Sequence, residues 1–223
     1  MRFTQVLFDL DGTLTESGRG IISSVRFVLE EMQYAPLTPE QLRSFVGPPL
    51  NVSFEKHCGM KPEETARAIE VFRDHYRKRG ILDSPAYPGI KEALSALRDA
   101  GCTLCVATAK PQDMAERVLE LQGLTGFFSF VSASRPEWEL ISKGENDVKI
   151  RVIGETLEQL PDHDPAKTVM VGDRRFDIES ARACNIPGIG ASYGYGSREE
   201  LTNAGASALA ETPQEMTELI LRM

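Results

Sequence analysis

The stretch Gln5-Val6-Leu7-Phe8-Asp9-Leu10-Asp11-Gly12-Thr13 decides how the rest of the chain is read. Residues 5–9 are a short apolar run that ends on an acid. Such a run reads as a strand buried on both faces, the kind found in parallel sheets. Four further runs follow: 103–108 (TLCVAT), 127–131 (FFSFV), 168–172 (TVMVG) and 186–191 (IPGIGA). The run at 168–172 also ends against an acid, Asp173. Helical patterns lie between them. Ile90, Ala93, Leu94 and Leu97 share one face, as do Met114, Val118 and Leu121. Val148, Val152, Ile153 and Leu157 make another stripe. Short apolar strands alternating with helices imply an α/β fold, a mostly parallel sheet with helices on both faces.

Residues 18–82 break this alternation and hold no convincing strand. Ile21, Ile22, Val25, Val28, Leu29 and Met32 make a helical stripe. Further helical patterns cover about 39–45, 49–57 and 62–79. The stretch reads as an all-helical insert after the first strand. Its expected hinges are 15–18 and 83–89 (DSPAYPG), both rich in turn formers.

Composition bounds the classes open to this chain. Its 223 residues fit one large domain, or one domain with a smaller insert. The net charge of -8 argues against a nucleic-acid or anionic-membrane binder, which needs a basic surface. No run approaches the roughly 18 apolar residues that span a bilayer. The N-terminus lacks the long apolar region of a signal peptide, since acids arrive at Asp9 and Asp11. The four cysteines fit a reducing cytoplasm. Cys102 and Cys105 have CxxC spacing, but strand alternation points them to opposite faces, which suits core packing better than a metal or a redox pair.

In open α/β sheets, ligands collect at the carboxyl ends of the strands, and four segments place chemical groups there. Asp9 and Asp11 share a side of an extended segment. Two close carboxylates repel unless a cation lies between them, so they imply a magnesium site, an acid/base pair or both. A turn built on Asp and Gly is the alternative. Thr108 ends the second run and Pro111 opens the next helix at its first position, so a hydroxyl and helix-start amides there cradle an anion, or Thr simply caps the helix. Lys149 lies 24 residues before Asp173, in the first turn of a helix starting near Asn146 or Asp147. Lys143, Lys110 and Arg135 compete with it, and any lysine is first of all a solvated surface charge. Gly172-Asp173-Arg174-Arg175-Phe176-Asp177 brings two acids to a strand end. They read as oxygen ligands for magnesium, or as helix caps.

Together, DLDGT at 9–13, Thr108, a lysine about 25 residues before GDxxxD, and GDRRFD at 172–177 resemble the four motifs of the haloacid dehalogenase-like hydrolase superfamily, in order. The resemblance spans the whole chain. It implies a Rossmann-like core of residues 1–17 and 83–223, and a small all-helical cap domain at 18–82. FVGPPL at 45–50 and YGYGS at 193–197 are similar to the phosphoglycolate phosphatase-like branch. The resemblance implies a phosphatase that hydrolyses a small phosphomonoester, phosphoglycolate-like or nucleotide-like. Asp9 would be the nucleophile, forming an aspartyl phosphate, and Asp11 the general acid and base. Thr108 and Lys149 would bind the phosphoryl oxygens. Mg2+ would be held by Asp9, the main-chain carbonyl of Asp11, and Asp173. Asp177, Gly47 of the FVGPPL loop and Arg43, a substrate cation, would be supporting site residues.

The same resemblance implies a small phosphorylated metabolite as partner, no nucleic acid or membrane, a monomer or homodimer, and a cytoplasmic location. A phosphomutase or a phosphonate hydrolase on the same fold is the alternative. The segment 134–147, with the single tryptophan Trp138, is longer and more polar than the family pattern and has no assigned role. It leaves Lys149 and Lys143 as rivals for the third motif, and spacing favours Lys149.

Overall fold

The computed structural model describes residues 3–135, 138 and 146–223. The first strand, β1 (Gln5–Phe8), is buried along its whole length. It pairs in parallel register with β2 (Thr103–Pro111) on one side and β4 (Thr168–Gly172) on the other. Outside these lie β3 (Phe130–Ser134), β5 (Gly188–Ala191) and β6 (Ala208–Ala210), giving the order β3-β2-β1-β4-β5-β6 with every pairing parallel. The connections leave β1 in opposite directions, so the topological switch point falls between β1 and β4. Asp9 and Asp173 follow those two strands directly.

Strand alternation sorts the core into two layers. Val6 and Phe8 of β1, Leu104 and Val106 of β2, and Val169 and Val171 of β4 pack on one face. Leu7, Cys105, Ala107 and Met170 pack on the other. The first face is covered by α5 (Ile90–Asp99), α6 (Gln112–Leu121) and α10 (Pro213–Arg222), the second by α7 (Asp147–Gln159) and α8 (Arg175–Ala183). The helix α9 (Arg198–Ala204) packs beside α8 over β5 and β6. Each fully buried Leu or Phe contributes about 1.5–3 kcal/mol, so a charge at Leu7 would break the second layer at its centre. Cys102 and Cys105 fall in opposite layers, and none of the four cysteines is in a disulfide.

Between β1 and α5 the described structure is helical: α1 (Gly18–Glu31), α2 (Pro39–Arg43), α3 (Leu50–Cys58), α4 (Pro62–Lys78) and a 3-10 turn, Gly80–Leu82. Local chemistry starts two of these. Thr38 and Gln41 exchange capping bonds ahead of Pro39, and Glu64 accepts the Lys61 amide ahead of Pro62. The apolar stripes meet inside, with Phe45 edge-on to Phe54 at 5.1 Å and Phe72 stacked on Tyr76 at 5.7 Å. No helix among the described residues is long and apolar enough to cross a membrane.

Four expectations need correction. The run 127–131 is not one strand. Residues Thr125–Phe127 form a 3-10 turn and β3 starts at Phe130, because Phe127 and Phe128 serve as packing groups. Phe128 meets Phe8 edge-on at 6.2 Å, and Arg98 lies over the Phe127 ring. The second strand runs on past Thr108 to Pro111, with a register shift against β3, so Pro111 stands at the N-cap of α6, one place before its first turn. The cap of α8 is Arg174 rather than either acid, and Asp177 sits at the third helical position, accepting the Arg174 amide at 3.0 Å. Finally, β6 is a short edge strand of three residues that no apolar pattern announces.

Candidate active site

The carboxyl edge of the sheet gathers the acids. Asp9, Asp173 and Asp177 are buried, and each presents an oxygen within 4.8 Å of the others. Lys149, from the first turn of α7, reaches into this group. Its Nζ lies 2.6 Å from Asp9 Oδ1 and 2.7 Å from Asp177 Oδ1, and it also donates to the Ala107 carbonyl at 3.1 Å. One ammonium thus joins the ends of β1 and β2 and the start of α8. Burial alone would lower the lysine's pKa, but the Asp177 and Asp9 carboxylates reverse this and raise it, so the charge is secure.

The acids are under electrostatic load. Burial raises the Asp9 carboxyl to about 6, against the pull of Lys149, with Asp177 and Asp11 adding to the rise. Burial also lifts Asp173 well above the usual carboxylate range, reinforced by Asp177 and Asp9 and opposed by the Tyr195 amide. That amide donates to Asp173 Oδ2 at 2.8 Å, while Thr13 Oγ1 donates to Oδ1 at 3.5 Å. Three buried carboxylates facing one lysine leave negative charge in excess. An all-oxygen donor set of this kind fits magnesium, which takes few carboxylates and keeps several waters. Gly12 makes the crowding possible. It has φ +89°, and a Cβ there would overlap the Asp173 carboxylate.

The other expected residues fall as follows. Asp11 stands in the turn after Asp9 and is only partly buried. Both of its oxygens accept from Lys110 Nζ, at 3.1 and 2.9 Å. Thr108 is buried, and its Oγ1 accepts the Lys110 amide at 3.3 Å. It lies one residue past Ala107, which binds Lys149. Gly47 has φ +107° and lies against Arg174, whose guanidinium donates to the Val46 carbonyl and to Glu200 Oε1 at 2.9 Å. Arg43 is exposed and lines a cleft of about 580 Å³ with Arg19, Ile22, Arg174 and Tyr195. Neither Asp9 nor Asp11 lines that cleft. Lys143 and most of 134–147 lie outside the described residues, while Trp138 carries the Arg135 guanidinium over its ring at 4.9 Å.

Sequence reasoning ranked Lys110 as a competitor and did not see its place. It is buried, bound to Asp11, and reaches Tyr76 of α4 at 2.8 Å. Strand parity gives no signal for it, because the ladder with β3 shifts register between Thr108 and Pro111. Tyr193 and Tyr195, named only as part of a motif, line the back of the site. Tyr193 Oη donates to the Thr13 carbonyl at 3.0 Å, and the Gly18 amide donates to Tyr195 Oη at 2.7 Å.

A doubly wound parallel sheet with acids at the ends of β1 and β4 and a lysine between them is a Rossmann-like hydrolase core. Residues 6–191 match the family model described as haloacid dehalogenase-like hydrolase. The chain belongs to this family. It is similar to a phosphoglycolate phosphatase of Agrobacterium fabrum, 33% identical over 194 residues, covering 85% of this chain and 80% of that one. It is also 34% identical over 218 residues to a protein of Mycobacterium tuberculosis named tyrosine-protein kinase PtkA, covering 96% of this chain and 72% of the relative. Among solved structures, a predicted phosphatase from Clostridium acetobutylicum superposes with a TM-score of 0.90 at 36% identity, over 100% of both chains.

Proposed function

We propose that this chain is a magnesium-dependent phosphomonoesterase, which hydrolyses a small phosphate ester through an aspartyl phosphate on Asp9. The observation that carries this reading is the contact between Lys149 Nζ and Asp9 Oδ1 inside a group of three buried carboxylates. It leaves the other Asp9 oxygen to attack. An acid at the end of β1 is useful as a nucleophile only if cations offset its repulsion from a phosphate dianion, and Lys149 supplies one of them. Magnesium, held by Asp9, Asp173 and the Asp11 main-chain carbonyl, would supply charge neutralisation on the transferring phosphoryl oxygens.

The steps then belong to the chain's own groups. An Asp9 oxygen forms a bond to phosphorus as the ester P–O bond breaks. Asp11 gives its proton to the departing alkoxide, and the product leaves as an alcohol. Asp11 then takes a proton from water, whose oxygen attacks phosphorus and releases inorganic phosphate with Asp9 restored. The Thr108 hydroxyl and Lys149 hold phosphoryl oxygens through both steps. Asp177 keeps Lys149 in place and fixes the start of α8 through the Arg174 amide.

We assign residues 18–82 as a cap over a core of 1–17 and 83–223. The run of helices between β1 and α5 supports this. The cap meets the core at Arg174 with Val46 and at Tyr195 with Gly18. A panel of phosphate esters tests the function, with phosphate release measured with magnesium and with excess chelator. Release that requires magnesium is expected. An Asp11→Asn variant should trap one phosphoryl group on the peptide containing Asp9, read by mass spectrometry. No release from any ester, with phosphate transfer from ATP to tyrosine peptides instead, would overturn the reading.

A further inference from the structure

Lys110 holds a buried charge that the steps above do not use. It sits at the carboxyl end of β2, where the ladder with β3 shifts register between Thr108 and Pro111. Its three acceptors are the two oxygens of Asp11 and Tyr76 Oη. An ammonium carries three protons, and each has an acceptor in this set, as each proton of Lys149 has among Asp9, Asp177 and the Ala107 carbonyl. The Tyr76 ring also lies under the ammonium, 4.3 Å from Nζ to the centroid. Tyr76 is fully buried near the end of α4 and shares a hydrogen bond of 3.2 Å with Ser84 Oγ, in the connection that returns the helical insert to the core.

We infer that Lys110 is a positioning residue, which sets where the Asp11 carboxylate stands and ties that placement to the seating of the insert through Tyr76. The inference deepens the phosphatase reading and rests on it. The backbone around Asp11 is fixed by the turn, with the Gly12 amide on the Thr15 carbonyl at 2.8 Å and the Leu14 amide on the Leu10 carbonyl at 2.9 Å. The carboxylate itself still turns about two side-chain torsions. Among the described residues, Lys110 supplies its hydrogen bonds. An acid displaced by about 1 Å from its proton acceptor loses on the order of 10²-fold in rate. The two lysines do not duplicate each other. Lys149 engages Asp9 and Asp177, whereas Lys110 engages Asp11 and Tyr76, with no partner in common.

The test compares kcat/KM for an alkyl phosphate and for 4-nitrophenyl phosphate, whose leaving group departs without a proton. This ratio reports only the steps up to leaving-group departure. Lys110→Met should lose about 100-fold on the alkyl ester and no more than about tenfold on the aryl ester. Tyr76→Phe should shift the ratio in the same direction by less, and should add nothing in the Lys110→Met background. Lys110→Arg should recover part of the loss. Inhibition by inorganic phosphate should be unchanged in every variant. An equal loss on both esters, or weaker phosphate inhibition, would mean that Lys110 binds the phosphoryl group directly, and the inference would fail. If Lys110→Met does not fold by thermal melting, Tyr76→Phe decides: it keeps the buried ring, and an unchanged ester ratio would overturn the coupling. A wild-type protein that hydrolyses neither ester overturns the phosphatase reading first, and this inference with it.

Discussion

Replacing Lys149 with alanine removes the cation on which the acidic site depends. Two carboxylate oxygens lie 2.6 and 2.7 Å from its Nζ. At an effective dielectric constant of about 20, each pair is worth roughly 6 kcal/mol before desolvation. Three carboxylates within 4.8 Å repel one another by roughly 3–4 kcal/mol per pair on the same scale. Much of the gross attraction is offset by the cost of burying the ions. Breaking a buried pair by deleting one partner nevertheless costs about 3–5 kcal/mol, because the other charge is left stranded. The melting temperature of Lys149→Ala should therefore fall by about 10 °C at pH 8. The fall should be smaller at pH 5.5, where protons relieve the acids. Catalysis should suffer separately. A charge-stabilising group in a dry site is worth about 3–4 kcal/mol, so kcat/KM at saturating magnesium should drop by about 10²–10³-fold. Lys143→Ala should change it less than about threefold. Phosphate-release kinetics and melting curves on both variants check this. A folded Lys149→Ala enzyme within threefold of wild type, or a larger loss in Lys143→Ala, would refute the assignment.

Asp9→Asn should fold and lose all measurable turnover, since an amide cannot form the acyl phosphate, and unchanged phosphate release would remove Asp9 as nucleophile. Asp173→Ala should weaken magnesium binding, read by titration calorimetry, and should raise the magnesium concentration needed for half-maximal rate. Equal magnesium dependence in the two proteins would exclude Asp173 from the metal site. Stability should depend on pH in a set direction. A carboxyl raised to about 6 favours the metal-free fold while protonated, and that contribution is lost as the pH rises through about 6. Magnesium needs the ionised form, so the rise in melting temperature on adding magnesium should be larger at pH 8 than at pH 5. A shift that is equal or larger at pH 5 would contradict this balance.

The sheet was legible because its evidence is local. Val6, Leu7 and Phe8 are apolar on consecutive positions, as a short strand covered on both faces requires, and the acids at Asp9 and Asp173 mark where two such strands stop. What stayed hidden depends on side chains that do not follow their element's average. Phe127 and Phe128 read as strand because aromatics favour strands, yet they are spent on packing against Arg98 and Phe8. The three residues of β6 carry too little apolar surface to signal themselves, and they pair only because β5 already stands there. Lys110 is the instructive case. Its burial is decided by Asp11, 99 residues earlier, and by Tyr76, 34 residues earlier. No periodicity near residue 110 encodes either partner. A buried lysine is tolerated only where acceptors already wait for it, so its position could be read only after the sheet had brought Asp11 and Tyr76 to the same edge. The site is therefore legible in one order: strands first, then the acids at their ends, and last the cations that those acids hold in place.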